Sequence, residues 1–358
     1  MQTAIIGCGF MANAHAQAIK ELGHSLALVI DSSGQKAQDF ARDWKADRFG
    51  DSFPMALEEG IQCIHICTPP NLHYAMVKDA LTAGKHVICE KPLCVKPEQG
   101  AELVKIAQER NLVNAVNFNV RFYEASQKAR NFIGSPDFGE ICLIHGSYLQ
   151  EFHALPDNYS WRYKPELAGP MRATTEIGSH WIDLVRFWTG LEITEVCANY
   201  GKFSPDRFVE NEIMYSDAKN NAEKITVKTE DAAIISFRFS NHAIGNLVLS
   251  EVSHGRNNRL ALEVTGKKQS IWWNSEDPYH LCTSQKNSGV RVQTNAFGGG
   301  FPNTFNAFFK EAYQDIESNR PSQNPAYPTF LDGYINSVIC AAIYESANNN
   351  SAWVEVKY

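Results

Sequence analysis

The chain has 358 residues, a length typical of about two domains. Its 33 basic and 40 acidic residues give a formal net charge of −7, which does not indicate a nucleic-acid partner. The hydrophobic fraction of 44% and the charged fraction of 20% are typical of a soluble globular protein. No apolar run approaches the ~18 residues needed to span a membrane, so we expect no membrane partner.

The nine cysteines form no Cys-x-x-Cys pair, so the sequence predicts neither a zinc site nor a disulfide framework. Several of them lie inside apolar runs, for example Cys63, Cys67 and Cys89. Reduced, buried thiols are typical of cytosolic proteins. We therefore expect a cytoplasmic protein without a bound metal.

The first thirty residues predict a strand, a glycine turn, a helix and a second strand. An apolar strand over residues 3–6 leads into Gly7, Gly9 and Ala12, which form a G-x-G-x-x-A turn. Apolar residues then recur at helical spacing, and the next strand, residues 26–30, ends at Asp31. This order is the dinucleotide-binding fingerprint in the context that it requires.

The residues of the turn have separate physical reasons. The first glycine permits the tight turn, the second lets a pyrophosphate approach the backbone, and Ala12 is small enough for the helix to pack on the strand. The amides of Phe10 and Met11, at the start of the helix, favour anionic phosphates. The alternative is a tight turn with a purely structural role.

Asp31 bears on the choice of cofactor. Its carboxylate would accept hydrogen bonds from an adenosine ribose and would repel a 2′-phosphate. Two serines follow it, and no arginine is present there to hold that phosphate. The sequence therefore predicts NAD as the cofactor in preference to NADP.

The alternation of strands and helices continues to about residue 120. Strands are predicted over residues 63–67, 87–89 and 114–118, and helices over residues 37–44, 73–83 and 98–110. In an open parallel sheet, ligands bind at the carboxyl ends of the strands. The residues predicted to contact the cofactor after these strands are Thr68, Pro69, Asn71, His73, Glu90 and Lys91. The two prolines after residue 68 predict a loop, and Pro92 restricts the chain after Lys91 and permits a cis bond there.

After about residue 120 the pattern changes to successive strands. They are predicted over residues 141–149, 194–201, 225–228, 233–239, 245–252, 259–265 and 269–273. Alternation of Ile235, Phe237 and Phe239 with polar residues indicates a half-covered, antiparallel sheet. We therefore predict a Rossmann domain over residues 1–120 and a substrate-binding and oligomerisation domain over residues 121–358. Because few helices are predicted to cover this large open sheet, we expect a homodimer or homotetramer.

One predicted helix, residues 174–187, carries Glu176, His180 and Asp183 at spacings of four and three. On a helix these residues form one stripe. Such a stripe suits a general base, because a carboxylate can orient the imidazole that takes the proton. Metal binding and a merely solvated helix face are the alternatives.

Substrate contacts are predicted from two further segments. Asn119 and Arg121 follow the last Rossmann strand, and Trp161 and Arg162 lie before the helix just described. An aromatic face with a guanidinium suits a hydroxyl-rich ring, although Trp161 could equally pack at a domain junction. Arg172 could bind a substrate carboxylate or pair with Glu166.

Taken together, residues 7–12, 68–73, 90–92 and 176–180 make the chain resemble the Gfo/Idh/MocA oxidoreductases, which include glucose–fructose oxidoreductase and inositol dehydrogenase. The resemblance covers essentially the whole chain. It implies a Rossmann domain, a mostly antiparallel α/β domain and NAD(P)-linked oxidation of sugars, polyols or related alcohols. It also implies that Lys91 and His180 carry catalysis and that Asp183 assists. Glu176 stands where the family usually has aspartate, so the substrate site is expected to be reshaped.

The resemblance implies a substrate hydroxyl held between Lys91 and His180. His180 would remove the hydroxyl proton while a hydride passes to the nicotinamide, and the Lys91 ammonium would stabilise the developing charge on oxygen. Two other functions stay open from the sequence. One is an NAD-dependent glycosidase that works by transient oxidation, and the other is a non-catalytic sugar or nucleotide sensor.

Overall fold

The computed structural model describes residues 1–218, 221–295 and 299–358. The strands are β1 Gln2–Ile6, β2 Ser25–Ile30, β3 Arg48–Gly50, β4 Cys63–Ile66, β5 His86–Cys89, β6 Asn114–Val116, β7 Ile141–Leu149, β8 Asp157–Asn158, β9 Ile193–Gly201, β10 Asp206–Glu210, β11 Ile213–Tyr215, β12 Glu223–Thr226, β13 Ala232–Phe239, β14 Ile244–Ser250, β15 Arg259–Gly266, β16 Gln269–Asn274, β17 Asp277–Gln285, β18 Val290–Thr294 and β19 Val354–Glu355. The α-helices are α1 Phe10–Glu21, α2 Gly34–Trp44, α3 Pro70–Thr82, α4 Pro97–Glu109, α5 Glu124–Ile133, α6 Pro165–Ala168, α7 Ser179–Thr189, α8 Phe301–Glu317 and α9 Phe330–Asn348.

The chain divides into two compact units. The first consists of Met1–Phe122 and Gly299–Ser337, and the second of Tyr123–Gly298 and Val338–Tyr358. The first unit thus takes in α8, which the sequence assigned to the second domain. The reason is packing, because Phe305, Phe308 and Phe309 of α8 are buried in the same core as α1 and β1. The functional division at residue 120 stays a prediction.

The first unit is built on a parallel sheet with the strand order β3-β2-β1-β4-β5-β6. Every pairing in it is parallel, and its four central strands are almost wholly buried because they are covered on both faces. One core cluster contains Val77 of α3 and Leu103 of α4, and the other contains Ile19 of α1 and the α8 aromatics. The predicted doubly wound Rossmann sheet is confirmed.

The second unit contains a large mixed sheet with the order β18-β17-β16-β15-β7-β14-β13-β9-β19. Its pairings are antiparallel except that β7 runs parallel to β14. Burial alternates along β13, as the pattern of Ile235, Phe237 and Phe239 predicts. A small antiparallel sheet, β12-β10-β11-β8, accompanies it. The predicted large, mostly antiparallel sheet is confirmed.

Local differences from the sequence prediction are few. The loop predicted after Thr68 is shorter than expected, because α3 already begins at Pro70. Proline is well tolerated at the first helical position, where its missing N–H would have no intrahelical partner. All nine cysteines lie in the described part of the chain and are free thiols. Among the described residues, no helix combines the length and apolarity needed to cross a membrane.

Candidate active site

The predicted cofactor residues of the first unit follow four neighbouring strands. The glycine turn follows β1, Asp31 follows β2, Thr68 and Pro69 follow β4, and Glu90 and Lys91 follow β5. Because these strands are parallel, their carboxyl ends share one edge of the sheet. The structure therefore brings the predicted residues to the edge where such sheets bind ligands.

Two glycines of the turn have different surroundings. Gly7 has φ +90°, and a Cβ atom there would lie 2.8 Å from the carbonyl oxygen of Cys67. At Gly9, by contrast, a Cβ atom would meet nothing within 4 Å. Gly9 directly precedes α1, and Phe10 at the first position of that helix is 81% exposed. The turn thus leaves open space at a helix N-terminus, which fits the pyrophosphate of a dinucleotide.

Asp31 is held in place by backbone amides. Its Oδ2 accepts a hydrogen bond from the Cys8 N–H at 2.9 Å, and its Oδ1 accepts one from the Ser33 N–H at 2.9 Å. Burial and the neighbouring Asp31 carboxylate raise the pKa of the Cys8 thiol to about 12, so this thiol stays neutral. The Asp31 carboxylate is consequently fixed next to the glycine turn.

The loop that carries Lys91 is tied to the loop after β4 by His73. The His73 ring is buried, with Nδ1 2.8 Å from the carbonyl oxygen of Pro92 and Nε2 2.8 Å from that of Thr68. Burial lowers the pKa of His73, although the two carbonyls oppose this shift. The Lys91–Pro92 peptide bond is cis. His73 thus supports both loops from the interior, and its predicted contact with cofactor stays a prediction.

Glu90 is also an interior residue. Its Oε1 lies 2.9 Å from His15 Nε2 and accepts a hydrogen bond from Asn117 Nδ2 at 2.5 Å. Ala12 is buried as well, under the start of α1. These side chains support the sheet edge from inside, while Lys91 is partly exposed.

The catalytic helix predicted in the second unit begins with a π-helical turn, Thr174–Gly178, and continues as α7. Its start is capped by the buried carboxylate of Glu230, which accepts hydrogen bonds from the backbone N–H groups of Arg172 at 3.1 Å and Thr174 at 2.8 Å. Burial raises the pKa of Glu230. π-helical turns are rare and occur frequently at functional sites.

The π turn changes the expected arrangement of Glu176. A π-helical turn is wider than an α-helical one, so the four-residue spacing of Glu176 and His180 lacks the α-helical geometry that the sequence predicted. Glu176 Oε2 accepts a hydrogen bond from Arg162 Nε at 3.2 Å, and the Arg162 guanidinium lies 4.5 Å from the ring centre of Trp161. The structure therefore brings two predicted substrate residues, Trp161 and Arg162, to the predicted catalytic Glu176.

His180 and Asp183 lie in the regular part of α7, one turn apart. Asp183 is buried, whereas His180 is partly exposed and its ring centre lies 6.4 Å from that of Tyr148. The Tyr148 hydroxyl donates a hydrogen bond to Asn258 Oδ1 at 2.7 Å, and burial raises the pKa of this phenol. A partly exposed imidazole beside a fixed phenol is a suitable proton acceptor.

Arg172 has a role that the sequence did not predict. Its side chain is fully buried, and it pairs with Asp231 at 2.5 Å and with Glu251 at 2.7 Å, so the expected pairing with Glu166 or with a substrate carboxylate is wrong. Its guanidinium also lies 4.8 Å from the ring centre of Tyr163. Arg172 therefore anchors the segment just before the π turn.

Asn119 and Arg121 lie in a short 3-10 helix of the first unit, and both are buried. Asn119 Nδ2 donates to Thr304 Oγ1 at 2.7 Å, and Arg121 forms a 2.8 Å ion pair with Asp332. These contacts tie the segment before residue 122 to the segment after residue 299. A role in substrate binding stays a prediction for both residues.

Comparison with known proteins places this geometry in a family. Residues 1–118 match the model described as "Oxidoreductase family, NAD-binding Rossmann fold", and residues 126–272 match the Gfo/Idh/MocA C-terminal domain. The chain belongs to the Gfo/Idh/MocA oxidoreductase family. The predicted family and its enzyme class, an NAD(P)-dependent dehydrogenase, are confirmed.

Members of the Gfo/Idh/MocA family resemble the chain over its whole length. Levoglucosan dehydrogenase of Pseudarthrobacter phenanthrenivorans is 27% identical, and the match covers 99% of this chain and 98% of that protein. A levoglucosan dehydrogenase structure in complex with NADH and L-sorbose superposes with a TM-score of 0.92 at 27% identity, covering 100% of this chain and 99% of that one. An NAD-binding oxidoreductase from Klebsiella pneumoniae gives a TM-score of 0.87 at 26% identity, covering 100% and 99% of the two chains.

Sequence reasoning missed three interior residues of this Gfo/Idh/MocA chain: His15, His65 and Tyr313. They join Glu90 in a chain of hydrogen bonds inside the first unit. One signal was available, because His65 is a titratable residue within the apolar strand Cys63–Ile66. The described residues contain no group of three or more His, Cys, Asp and Glu side chains suited to a metal ion.

The two glycines of the family's cofactor turn offer a matched pair of variants. We expect Gly7→Ala to lower stability by about 1–3 kcal/mol, because its φ of +90° and the Cys67 carbonyl leave no room for a methyl group. Gly9→Ala should change stability little, because its φ is −85° and the added Cβ has open space. It should nevertheless weaken NADH binding by at least ~10-fold, because the methyl group occupies the approach of the pyrophosphate.

Thermal unfolding and NADH fluorescence titration of both variants test this expectation. Native NADH affinity in Gly9→Ala would show that the turn does not hold the pyrophosphate.

Proposed function

We propose that this chain transfers a hydride between a nicotinamide cofactor and a hydroxyl group of a sugar or polyol. The observation that carries the proposal is the placement of Lys91 at the same sheet edge as the glycine turn and Asp31. The whole-length similarity to levoglucosan dehydrogenase supports it. The named relatives give no support to the glycosidase or to the sensor.

The chain's own residues supply proton transfer and charge. The bound nicotinamide would supply the hydride chemistry. His180 takes the hydroxyl proton on its imidazole, and Asp183, which is buried one turn further along α7, is proposed to assist it. The Lys91 ammonium stabilises the negative charge that develops on the substrate oxygen.

Substitution of Lys91 and of His180 tests these two roles. Lys91→Ala and His180→Ala should each lower kcat by ~10²–10⁴ while NADH affinity stays near native. The double variant should be little worse than either single one, because residues that act on one group are not additive. The measurement is steady-state kinetics at 340 nm with levoglucosan, D-xylose, inositol and glucose 6-phosphate as the sugars screened.

Lys105→Ala and His280→Ala are the matched controls, since both side chains are exposed and lie in surface ion pairs. They should leave kcat unchanged. Near-native turnover in Lys91→Ala or His180→Ala would refute the assignment of that residue.

The substrate site is proposed to include Trp161, Arg162 and Glu176. The indole can stack on the CH face of a sugar ring, and the Arg162–Glu176 pair presents donors and acceptors for hydroxyl groups. Glu176 reaches about one methylene further than the aspartate usual in the family, and one of its carboxylate oxygens is paired with Arg162. We infer that this pair helps to choose among sugars and does not carry the proton transfer.

The cofactor is proposed to be NAD in preference to NADP. The fixed Asp31 carboxylate can accept ribose hydroxyl groups and repels a 2′-phosphate. Asp31→Ala should narrow the ratio of NADH to NADPH affinity by roughly tenfold, equivalent to about 1.4 kcal/mol. Asp31→Asn is the matched variant, because it keeps an acceptor for the Cys8 amide and removes only the charge.

Fluorescence titration with both reduced cofactors is the measurement. Tighter NADPH binding by the native chain would contradict the preference. An unchanged ratio in both variants would show that another group sets it.

We also propose that the chain is a cytoplasmic homo-oligomer, a dimer or tetramer that pairs through the large sheet. Four apolar side chains on its three central strands are exposed: Ile234 58%, Ile244 59%, Val248 38% and Leu143 38%. In the sheet register Ile234 pairs with Val248, and Ile244 with Leu143, so they form two apolar pairs on one face of the sheet, separated by a polar row of Ser236, Asn246 and His145. Exposed apolar pairs interspersed with polar side chains on an open sheet face fit an interface between copies of the chain.

Replacing both Ile234 and Ile244 by glutamate should convert the native assembly into a monomer, because it buries two charges in the proposed interface. Light scattering at micromolar concentration measures the mass. The control replaces Val290 and Val292 by glutamate, since these residues are equally exposed but lie on the edge strand β18. A monomeric native chain, or dissociation by the control alone, would count against the proposed face.

A further inference from the structure

A continuous chain of side-chain hydrogen bonds crosses the interior of the first unit. His15 on α1 has Nε2 2.9 Å from Glu90 Oε1 and Nδ1 2.9 Å from His65 Nδ1. His65 on β4 has Nε2 2.8 Å from the Tyr313 hydroxyl of α8. Four residues from four separate segments therefore form one line that ends at the residue before Lys91.

The line is closed off from solvent. His15 and His65 are fully buried, and Tyr313 and Glu90 are 2% and 5% exposed. The Phe309 ring lies edge-on to both imidazoles, with ring centres 4.8 Å and 5.0 Å away. In such surroundings an unsatisfied donor or acceptor is costly, so each ring nitrogen needs its partner.

The donors can be assigned from the partners. In the described part of the chain, the Tyr313 hydroxyl is paired with His65 Nε2. We therefore assign the phenol as the donor of this hydrogen bond. Burial and the neighbouring His15 hold the pKa of His65 well below its usual range, and burial raises that of Tyr313, so both stay neutral. His65 Nδ1–H then donates to His15 Nδ1, and His15 Nε2–H donates to Glu90. Every donor in the line points toward the carboxylate.

The carboxylate at the end of the line is charged. Burial would raise the pKa of Glu90, but the hydrogen bonds from His15 and Asn117 hold it below its usual range, and positive charge on His15 or Lys91 acts in the same direction. The titratable and charged groups that face the line are Lys91, His73, Cys67 and Cys89 near Glu90, His24 near His65 and Cys63 near Tyr313.

We propose that Tyr313, His65 and His15 are positioning residues for the dehydrogenase reaction, which keep the Glu90 carboxylate charged and oriented beside Lys91. The inference rests on the proposed role of Lys91. The Glu90 carboxylate lies within electrostatic reach of Lys91, whose ammonium group would stabilise negative charge on the substrate oxygen. The three residues touch neither substrate nor cofactor in this role.

The proposal has a specific signature in the pH profile of kcat/KM. Without His15, burial dominates and the pKa of Glu90 rises, so the ionised form is present only at higher pH. His180, as the proton acceptor, sets the acid limb of the native profile, so in His15→Leu we expect the ionisation of Glu90 to join it. The limb should become steeper and move upward by about one pH unit, with activity recovering toward the native value at more alkaline pH. His15→Gln, whose amide can again donate to Glu90, should restore most of the native profile. The substrate is the best sugar of the four screened above.

A second variant keeps the test valid if His15→Leu does not fold. Tyr313→Phe removes only the terminal hydroxyl and should move the acid limb in the same direction but by less, about half a pH unit, because one neutral hydrogen bond at the end of the line is lost. Tyr327→Phe is its matched control: this tyrosine is also buried in the first unit, but its hydroxyl donates to Asp315 at 2.8 Å.

His86→Leu is the control for His15→Leu, since buried His86 accepts its hydrogen bond from the Val113 N–H. Tyr327→Phe and His86→Leu should both lower the melting temperature without moving the acid limb of the kcat/KM profile.

The results separate the inference from the proposed function. Glu90→Gln should be impaired at every pH, because it cannot recover a charge. If Lys91→Ala is inactive and the profiles of His15→Leu and Tyr313→Phe run parallel to the native one, the three residues are merely structural and the inference is overturned. If Lys91→Ala is active, the proposed role of Lys91 fails, and the inference fails with it.

Discussion

The parallel pairing of β1 with β2 on one side and β4 on the other is the constraint on which the cofactor edge depends. Ile6 is level with Ile30 and with Ile66, so the three strands end together. The Gly7 N–H donates to the Ile30 carbonyl at 2.7 Å, and the Cys67 N–H donates to the Ile6 carbonyl at 2.8 Å. The chain leaving β1 must then pass within contact distance of the Cys67 carbonyl, and only glycine fits there. The glycine turn, Asp31 and the loop before α3 all take their positions from this arrangement.

Local sequence signals were sufficient for most of the first unit. Strands covered on both faces are apolar throughout, and a G-x-G-x-x-A turn between a strand and a helix has few other uses. The same reasoning did not assign α8 to this unit. Phe305, Phe308 and Phe309 mark one buried face of a helix, but a face does not reveal which core it enters. That choice is made by packing against α1, which lies almost 300 residues earlier in the sequence.

The polar interior was the least predictable part, for a related reason. A buried charged group takes its partners wherever the fold brings them, and these are distant in sequence. The alternatives predicted for Arg172 were a substrate carboxylate or nearby Glu166, but it pairs with Asp231, just before β13, and Glu251, just after β14. Glu90 and its line of donors come from four segments, and the spacing of His15 and His65 carries no motif. The π turn at Thr174 has no sequence signal that we could identify, and it displaced the expected geometry of Glu176.

In each unit, a buried carboxylate lies next to the segment that carries a proposed catalytic residue. Glu90 precedes Lys91, and Glu230 caps the segment that leads into the helix of His180. Burying a carboxylate costs several kcal/mol unless fixed donors replace its water, and well-packed apolar groups at such positions are often as stabilising or more so. A gain in stability is therefore a weak explanation for the presence of either buried carboxylate. Orientation is a stronger one, because donors and charges that are already fixed need no reorganisation when charge develops on a substrate. The donors to Glu90 and Glu230 therefore serve the proposed reaction as well as the fold, although in this role none of them contacts the substrate.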